Sequence, residues 1–276
     1  MASDTALRTE VQDLATVKAR IGQVLQRVNR YWAGEAEVAA AFFSRPHTAE
    51  EHLPWLKSQM VRELGWPDGR LGRLLEAYKN VERDTERHAV HTLFQTAEEE
   101  YSHYVFLADV AEAAAGRRIL PEEIMYNKDL PAWQALDKVR TRGADWDSAV
   151  SGFHEGGGLG IYHTCMQLEP SDADPFRAQI AAAMGMIYED EIEHAARGFR
   201  DVVRIAATTS DEMWQQVQEK VELVGYHRVR MRNEQFGFPI SEERIEEISD
   251  GKIPPYIPPL PDVATVYQQV VAALRR

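Results

Sequence analysis

Apolar residues recur every three or four positions along most of this chain, and that spacing decides its fold class. Between residues 5 and 44, Leu14, Val17, Ile21, Val24, Leu25, Val28, Tyr31, Val38 and Phe42 line one helical face. Pro46 interrupts, and a second helix is expected over 48–64. Gly65-Trp-Pro-Asp-Gly69 reads as a turn, with Asp68 capping a very long helix that ends at Gly116. Residues 131–141 and 145–168 read as further helices. Asp174-Pro175 then signals the start of one reaching about Ala207. Thr209 and Glu212 have capping-box spacing and open a helix over 210–235. A short acidic helix follows at 241–249. No alternating run of β-branched residues bounded by turns occurs, so a sheet is not expected. Long helices with short connections imply an all-α bundle of one domain over 1–250. Gly251-Lys-Ile-Pro-Pro-Tyr-Ile-Pro-Pro-Leu-Pro-Asp262 reads as an extended proline-rich arm, leading to a short helix that packs on the bundle within 251–276.

Length and charge narrow the function classes. The chain has 276 residues and a formal net charge of −13. Nucleic acids and anionic membranes attract basic surfaces, so neither is an expected partner. No run of about 20 apolar residues is present, and the first residues lack a basic segment followed by an apolar one. A single cysteine, Cys165, excludes an intrachain disulfide. These features together suit the cytoplasm.

Two short motifs carry the chemistry. Glu100-Tyr-Ser-His103 and Glu191-Ile-Glu-His194 each place a carboxylate and an imidazole on one helical face. A Glu and His content like this one yields about one such pair by chance, so context must decide. Ile180, Met184 and Ile187 precede the second pair on its face; Leu93 precedes the first, and Leu107 and Val110 follow it. Charges on an apolar face need a strong partner, and a metal is one. Two such pairs, with one Glu from each of two further helices, form the ligand set of a two-metal carboxylate bundle. Each pair is also preceded by an acid. Asp190 is placed to orient His103, and Glu99 to orient His194, because ligating imidazoles give their other N–H to a carboxylate.

Helix-length arithmetic brings Glu155 to the height of Glu191, and we assign it as the ligand from the third helix. For the first helix, counting back from the turn at 65–69 points to Glu35 or Glu37. Glu35 shares the apolar face and is preferred; Glu63 is the rival. Oxygen and imidazole donors suit iron, with manganese as the alternative metal. His88, His91, His154 and His163 are left unassigned, although His163 lies two turns from Glu155. Phe-His-Glu-Gly-Gly-Gly-Leu-Gly at 153–160 sets Glu155 beside four poor helix formers. With no side chain at Gly156, Gly157 and Gly158, the wall next to Leu159 and Tyr162 is expected to open or to bulge as a site for O₂ or substrate. Close packing of a neighbouring helix is the competing explanation.

On these residues, Glu99-Glu100-x-x-His103, Asp190-Glu191-x-x-His194 and Glu155, the sequence resembles the ferritin-like di-iron carboxylate superfamily over roughly 80–200. Haem-oxygenase-like di-iron oxidases compete, since Asp190-x-x-x-His194 with Glu63 fits their pattern. The resemblance implies a ferritin-like bundle with a four-helix metal-binding core and two iron ions. It also implies an oxidase or oxygenase that takes O₂, a small-molecule or acyl substrate and electrons from a donor or reductase; a homodimer is compatible with it. Ferroxidase or rubrerythrin-like peroxidase activity, or a metal-free helical interaction protein, are the alternative readings.

Overall fold

The computed structural model describes residues 11–79, 87–125, 130–140 and 145–275. They form helices α1 (Leu14–Phe42), α2 (Ala49–Lys79), α3 (Arg87–Ala115), α4 (Pro121–Met125), α5 (Pro131–Val139), α6 (Asp145–Phe153), α7 (Glu155–Met166), α8 (Arg177–Thr208), α9 (Asp211–Gln235), α10 (Glu242–Ser249) and α11 (Val263–Leu274). The chain is an all-α bundle with no strand among the described residues. None of those helices is long and apolar enough to cross a membrane.

Local chemistry explains most boundaries. Asp13 accepts the Thr16 N–H at 2.7 Å and caps α1. The part of the first expected helix before residue 11 lies outside the described residues. Gly116, at φ +65°, follows α3, a conformation that suits glycine. Ser210, not Thr209, caps α9 by accepting the Met213 N–H. The helix predicted to start at Asp174-Pro175 begins instead at Arg177. Asp174 is occupied elsewhere, as described below.

The expected turn at 65–69 is not a turn. Residues 65–69 lie inside α2, which continues to Lys79. A proline in a helix interior costs about 3 kcal/mol. Here α2 packs along α3 more extensively than any other helix pair does, and that pairing outweighs the local signal. The reversal between α2 and α3 therefore falls about 15 residues later than the sequence suggests. This shift changes which α2 or α1 residue stands level with Glu100.

The bundle is wrapped around α8, which packs against α3, α6, α7 and α1, while α1 also packs against α7 and α9. Gly198 of α8 meets Gly152 of α6 so closely that a Cβ on Gly198 would overlap the Gly152 carbonyl. The single helix expected over 145–168 is divided at His154 into α6 and α7. The arm after α10 is extended and lies on α1, where the Tyr256 N–H donates to the Asn29 carbonyl at 3.3 Å. From there α11 packs on α1 and α8.

Asp174 pins the corner between α1 and α2 to the start of α8. It accepts from the His47 N–H (3.0 Å), His52 Nε2 (2.9 Å) and Arg177 Nε (3.3 Å). Trp55 Nε1 donates to His52 Nδ1 at 3.2 Å, so His52 is neutral with its proton on Nε2. Burial pushes His52 below the usual histidine range, ahead of the opposing pull of Asp174. Burial would raise the Asp174 carboxyl, but His52, the His47 N–H and Arg177 outweigh it and hold it down. Both groups bind protons more readily in the unfolded chain, so stability is present at neutral pH and falls as pH drops below about 6.5. Thermal unfolding at pH 7.5 and pH 5 should show a clear loss of Tm on acidification. Asp174→Asn should lower Tm at pH 7.5, by a loss of about 1–3 kcal/mol, and steepen the fall between pH 7.5 and pH 5, because it removes the carboxylate that pulls His52 up.

Candidate metal centre

Four buried side chains converge between α2, α3 and α8. Glu63, Glu100, His103 and Glu191 present ligand atoms that all lie within 4.8 Å of one another. Their arrangement follows from helix geometry, since Glu100 and His103 are one turn apart on α3, and Glu191 and His194 one turn apart on α8. His194 joins the group from α8. Its Nδ1 is 3.5 Å from Glu191 Oε2 and 3.7 Å from Glu100 Oε1. His103 Nδ1 lies 3.8 Å from Glu63 Oε2 and 3.8 Å from Glu191 Oε1. Glu191 thus turns one oxygen toward each histidine.

The outer nitrogens face other acids. His103 Nε2 lies 3.2 Å from Asp190 Oδ2, and His194 Nε2 lies 2.8 Å from Glu99 Oε2. Each contact crosses the interface between α3 and α8. With a proton on each Nε2, both Nδ1 lone pairs point inward. Asp190 therefore stands behind a histidine, while Glu191 faces the centre.

Two observations show that these residues fit a metal. His103 Nδ1 and Glu191 Oε2 are buried without a hydrogen-bond partner. Such atoms are costly unless something else binds them. The donors are also all carboxylate oxygen and imidazole nitrogen, a set suited to divalent transition ions. In the protein alone, protons take that place. Burial would push His103 down, yet Glu63, Glu191 and Glu100 overcome it and raise the imidazole to about 9. Burial likewise opposes, and Glu191, Glu100 and Glu99 overcome, so that His194 also stands at about 9. Burial would raise Glu191, but His194, His103 and Arg62 draw its carboxyl down to about 2.

The first-helix carboxylate is a correction: Glu63 of α2 stands in the group, and Glu35 does not. Glu35 is 0% exposed, and both its oxygens are held by arginines of α9. Arg228 Nε and Nη2 donate to it at 2.7 and 2.9 Å, and Arg232 Nε at 3.1 Å. Burial raises its carboxyl, and the two guanidinium groups outweigh that and bring it to about 2. The late reversal after α2 explains the substitution. Glu63 lies 16 residues before Lys79, and Glu100 lies 13 after Arg87, so they meet at similar height. Glu37 is paired with Arg244 at 2.6 Å, away from the centre.

Glu155 is half-buried at the start of α7 and outside the group of four. Its charge acts on Arg62, Arg140 and Arg228. The glycines beside it do not open a wall. A Cβ on Gly156 would press Trp32, one on Gly157 would overlap Glu35 Oε1, and one on Gly160 would sit 3.2 Å from Ala36 Cβ. The competing explanation, close packing of α7 on α1, accounts for them. The distortion is also not a π-bulge: the chain turns at His154, and the Gly157 N–H donates to the His154 carbonyl. Gly158 faces the Tyr162 ring, Leu159 is fully buried, and the Tyr162 hydroxyl accepts from Gln59 Nε2 at 3.2 Å. His163 is exposed and packs on Tyr188; His88 and His91 are also exposed. His154 Nε2 donates to the Val221 carbonyl at 2.9 Å.

Gln59 was not among the residues singled out from the sequence, and it links both buried systems. Its Nε2 donates to Glu63 Oε1 at 2.5 Å, and its Oε1 accepts from Arg232 Nη1 at 2.8 Å. A signal existed in α9, where Arg228 and Arg232 stand four residues apart among Val221, Val224 and Val229. Buried arginines on such a face need acids.

Comparison of the chain with protein-family models, curated proteins and solved structures found no significant match.

Two substitutions separate the carboxylates. Glu63→Gln should lower bound transition metal after reconstitution, with little change in Tm of the metal-free protein. Glu35→Gln should cost about 3–5 kcal/mol, because it strands Arg228 and Arg232, while the residues of the centre remain in place. Metal analysis with thermal unfolding reads both.

Proposed function

We propose that this protein is a non-haem di-iron oxidase or oxygenase, with manganese as the alternative metal. The observation that carries the reading is Glu191 lying between two histidines, one oxygen toward each Nδ1, within a buried set of three carboxylates. A carboxylate so placed can serve two ions at once. Glu63 and His103 would hold one, and Glu100 and His194 the other. When bound, two iron ions supply the redox chemistry that lets O₂ oxidise an organic substrate.

The chain's own contribution is order and exclusion. Asp190 and Glu99 hold the imidazole Nε2 protons, which fixes the tautomer and the ring orientation. Gln59 holds Glu63 from behind. Leu107, Met184, Ile187 and Tyr162 are buried in the core that surrounds the site, so bulk water is kept from the centre. O₂, an oxidisable small-molecule or acyl substrate, and an electron donor or reductase are the partners this reading requires.

Protein produced in iron- or manganese-supplemented medium should carry about two ions per chain. Reduced iron-loaded protein should consume O₂ and develop a visible absorption that Glu191→Ala abolishes. The reading fails if the wild type retains no transition metal, or if His103→Ala and Glu191→Ala keep full metal content. Turnover of peroxide or ferrous iron that needs no organic substrate would move the assignment to iron handling.

A further inference from the structure

Behind the metal centre lies a second set of buried charges that the proposed chemistry has not used. Arg228 and Arg232 are each 0% exposed and Arg62 is 8% exposed. Their donors can be counted. Arg228 gives Nε and Nη2 to Glu35, and its Nη1 is buried with no hydrogen-bond partner. Arg232 gives Nε to Glu35 and Nη1 to Gln59 and Gln235, and its Nη2 has none. Arg140 Nε and Gln235 Nε2 are likewise buried and unpartnered. A charged donor left in this state is expensive, and each case calls for an explanation.

The charge balance agrees. Arg62, Arg140, Arg228 and Arg232 act on one another and on three acids outside the metal centre, Glu35, Glu155 and Asp137. Glu63 is already engaged by His103 and Gln59. The arginines therefore exceed their acids. Burial, followed by the neighbouring guanidinium groups, draws Arg140 and Arg232 down to about 10, still charged at neutral pH. Guanidinium nitrogens in a dry site are matched by oxyanions.

We propose that Arg228 and Arg232, with Arg62 and Arg140 beside them, form an anion site that binds the carboxylate of the organic substrate. The assignment to substrate rests on the oxidase reading; the existence of the site does not. Position supports the role, since one side chain, Gln59, separates Arg232 from Glu63. The approach favours an organic acid over an inorganic anion. Gln235, which accepts from Arg232 Nη1 at 3.0 Å, also lines a surface cavity of about 350 Å³ walled by Phe42, Pro54, Trp55 and Phe236. Such walls accept hydrocarbon, with Arg45, His47 and Glu51 also in the lining, and the Gln235 amide joins the lining to the guanidinium.

The test is calorimetric titration of the metal-free full chain with benzoate and hexanoate. Benzyl alcohol, hexanol, phosphate and chloride serve as comparisons. Benzoate or hexanoate should bind and raise Tm, and the alcohols should do neither. Arg140→Gln should weaken carboxylate binding about ten-fold or more. Arg228→Gln strands Glu35, so the second variant is Arg228→Lys, which keeps a cation beside Glu35 but removes Nη1; thermal unfolding should show it folded, and it should bind the carboxylates more weakly. Failure of both carboxylates to bind overturns the proposal. So does equal binding by the alcohols, or equal stabilisation by phosphate and chloride. Because the titration uses no metal, retained carboxylate binding in a chain that holds no iron would leave this site standing while removing the oxidase reading.

Discussion

Burying the Glu35 carboxylate with two arginines is the constraint around which this bundle is organised. A carboxylate cannot sit in an apolar interior alone, because desolvation is worth several kcal/mol and must be offset by close partners. Arg228 and Arg232, one turn apart on α9, supply them, and they fix α9 against α1 in register. Arg232 then reaches Gln59 on α2, and Gln59 reaches Glu63. Position is passed from α1 through α9 to Glu63 of α2 by hydrogen bonds rather than by apolar contact alone. Apolar packing tolerates small shifts, whereas a bidentate ion pair does not. That rigidity suits a site whose ligand atoms must stay within a few ångströms of one another.

The same network explains what could be read from the chain beforehand. Helical class was legible because apolar spacing is a property of each segment and needs no partner. The pairs Glu100 with His103 and Glu191 with His194 were legible for the same reason: one turn of helix brings each pair to one face. The structure brings all four to one place, with Asp190 and Glu99 behind the opposite histidines. What was not legible depends on partners far away in sequence. Glu35 lies on an apolar face, as a ligand would, yet its partners are 193 and 197 residues away. Proline flanked by glycines at 65–69 has the local grammar of a turn, and only the packing of α2 on α3 shows that the helix continues. That one misplacement carried the counting argument from Glu63 to Glu35.

Glycine shows the same ambiguity on a smaller scale. A run of residues without side chains can mean open space or the closest possible contact, and sequence alone does not separate them. Here Trp32, Glu35 and Ala36 occupy the space beside Gly156, Gly157 and Gly160. The glycines thus serve the buried ion pair by letting α7 lie directly over it. Access to the interior has to be sought on another side.

The contact between Gly152 and Gly198 narrows where that side is. Gly198 lies two turns beyond Glu191 on α8, and a slide of one turn, about 5.4 Å, would bring His194 or Val202 to a position that admits only a hydrogen atom. Shear of α8 along α6 is therefore blocked in both directions, and α8 behaves as a fixed spine. Any breathing motion that admits a molecule must come from helices that move relative to this spine. A surface cavity already stands open where Phe42 of α1 and Trp55 of α2 meet Phe236, just past α9.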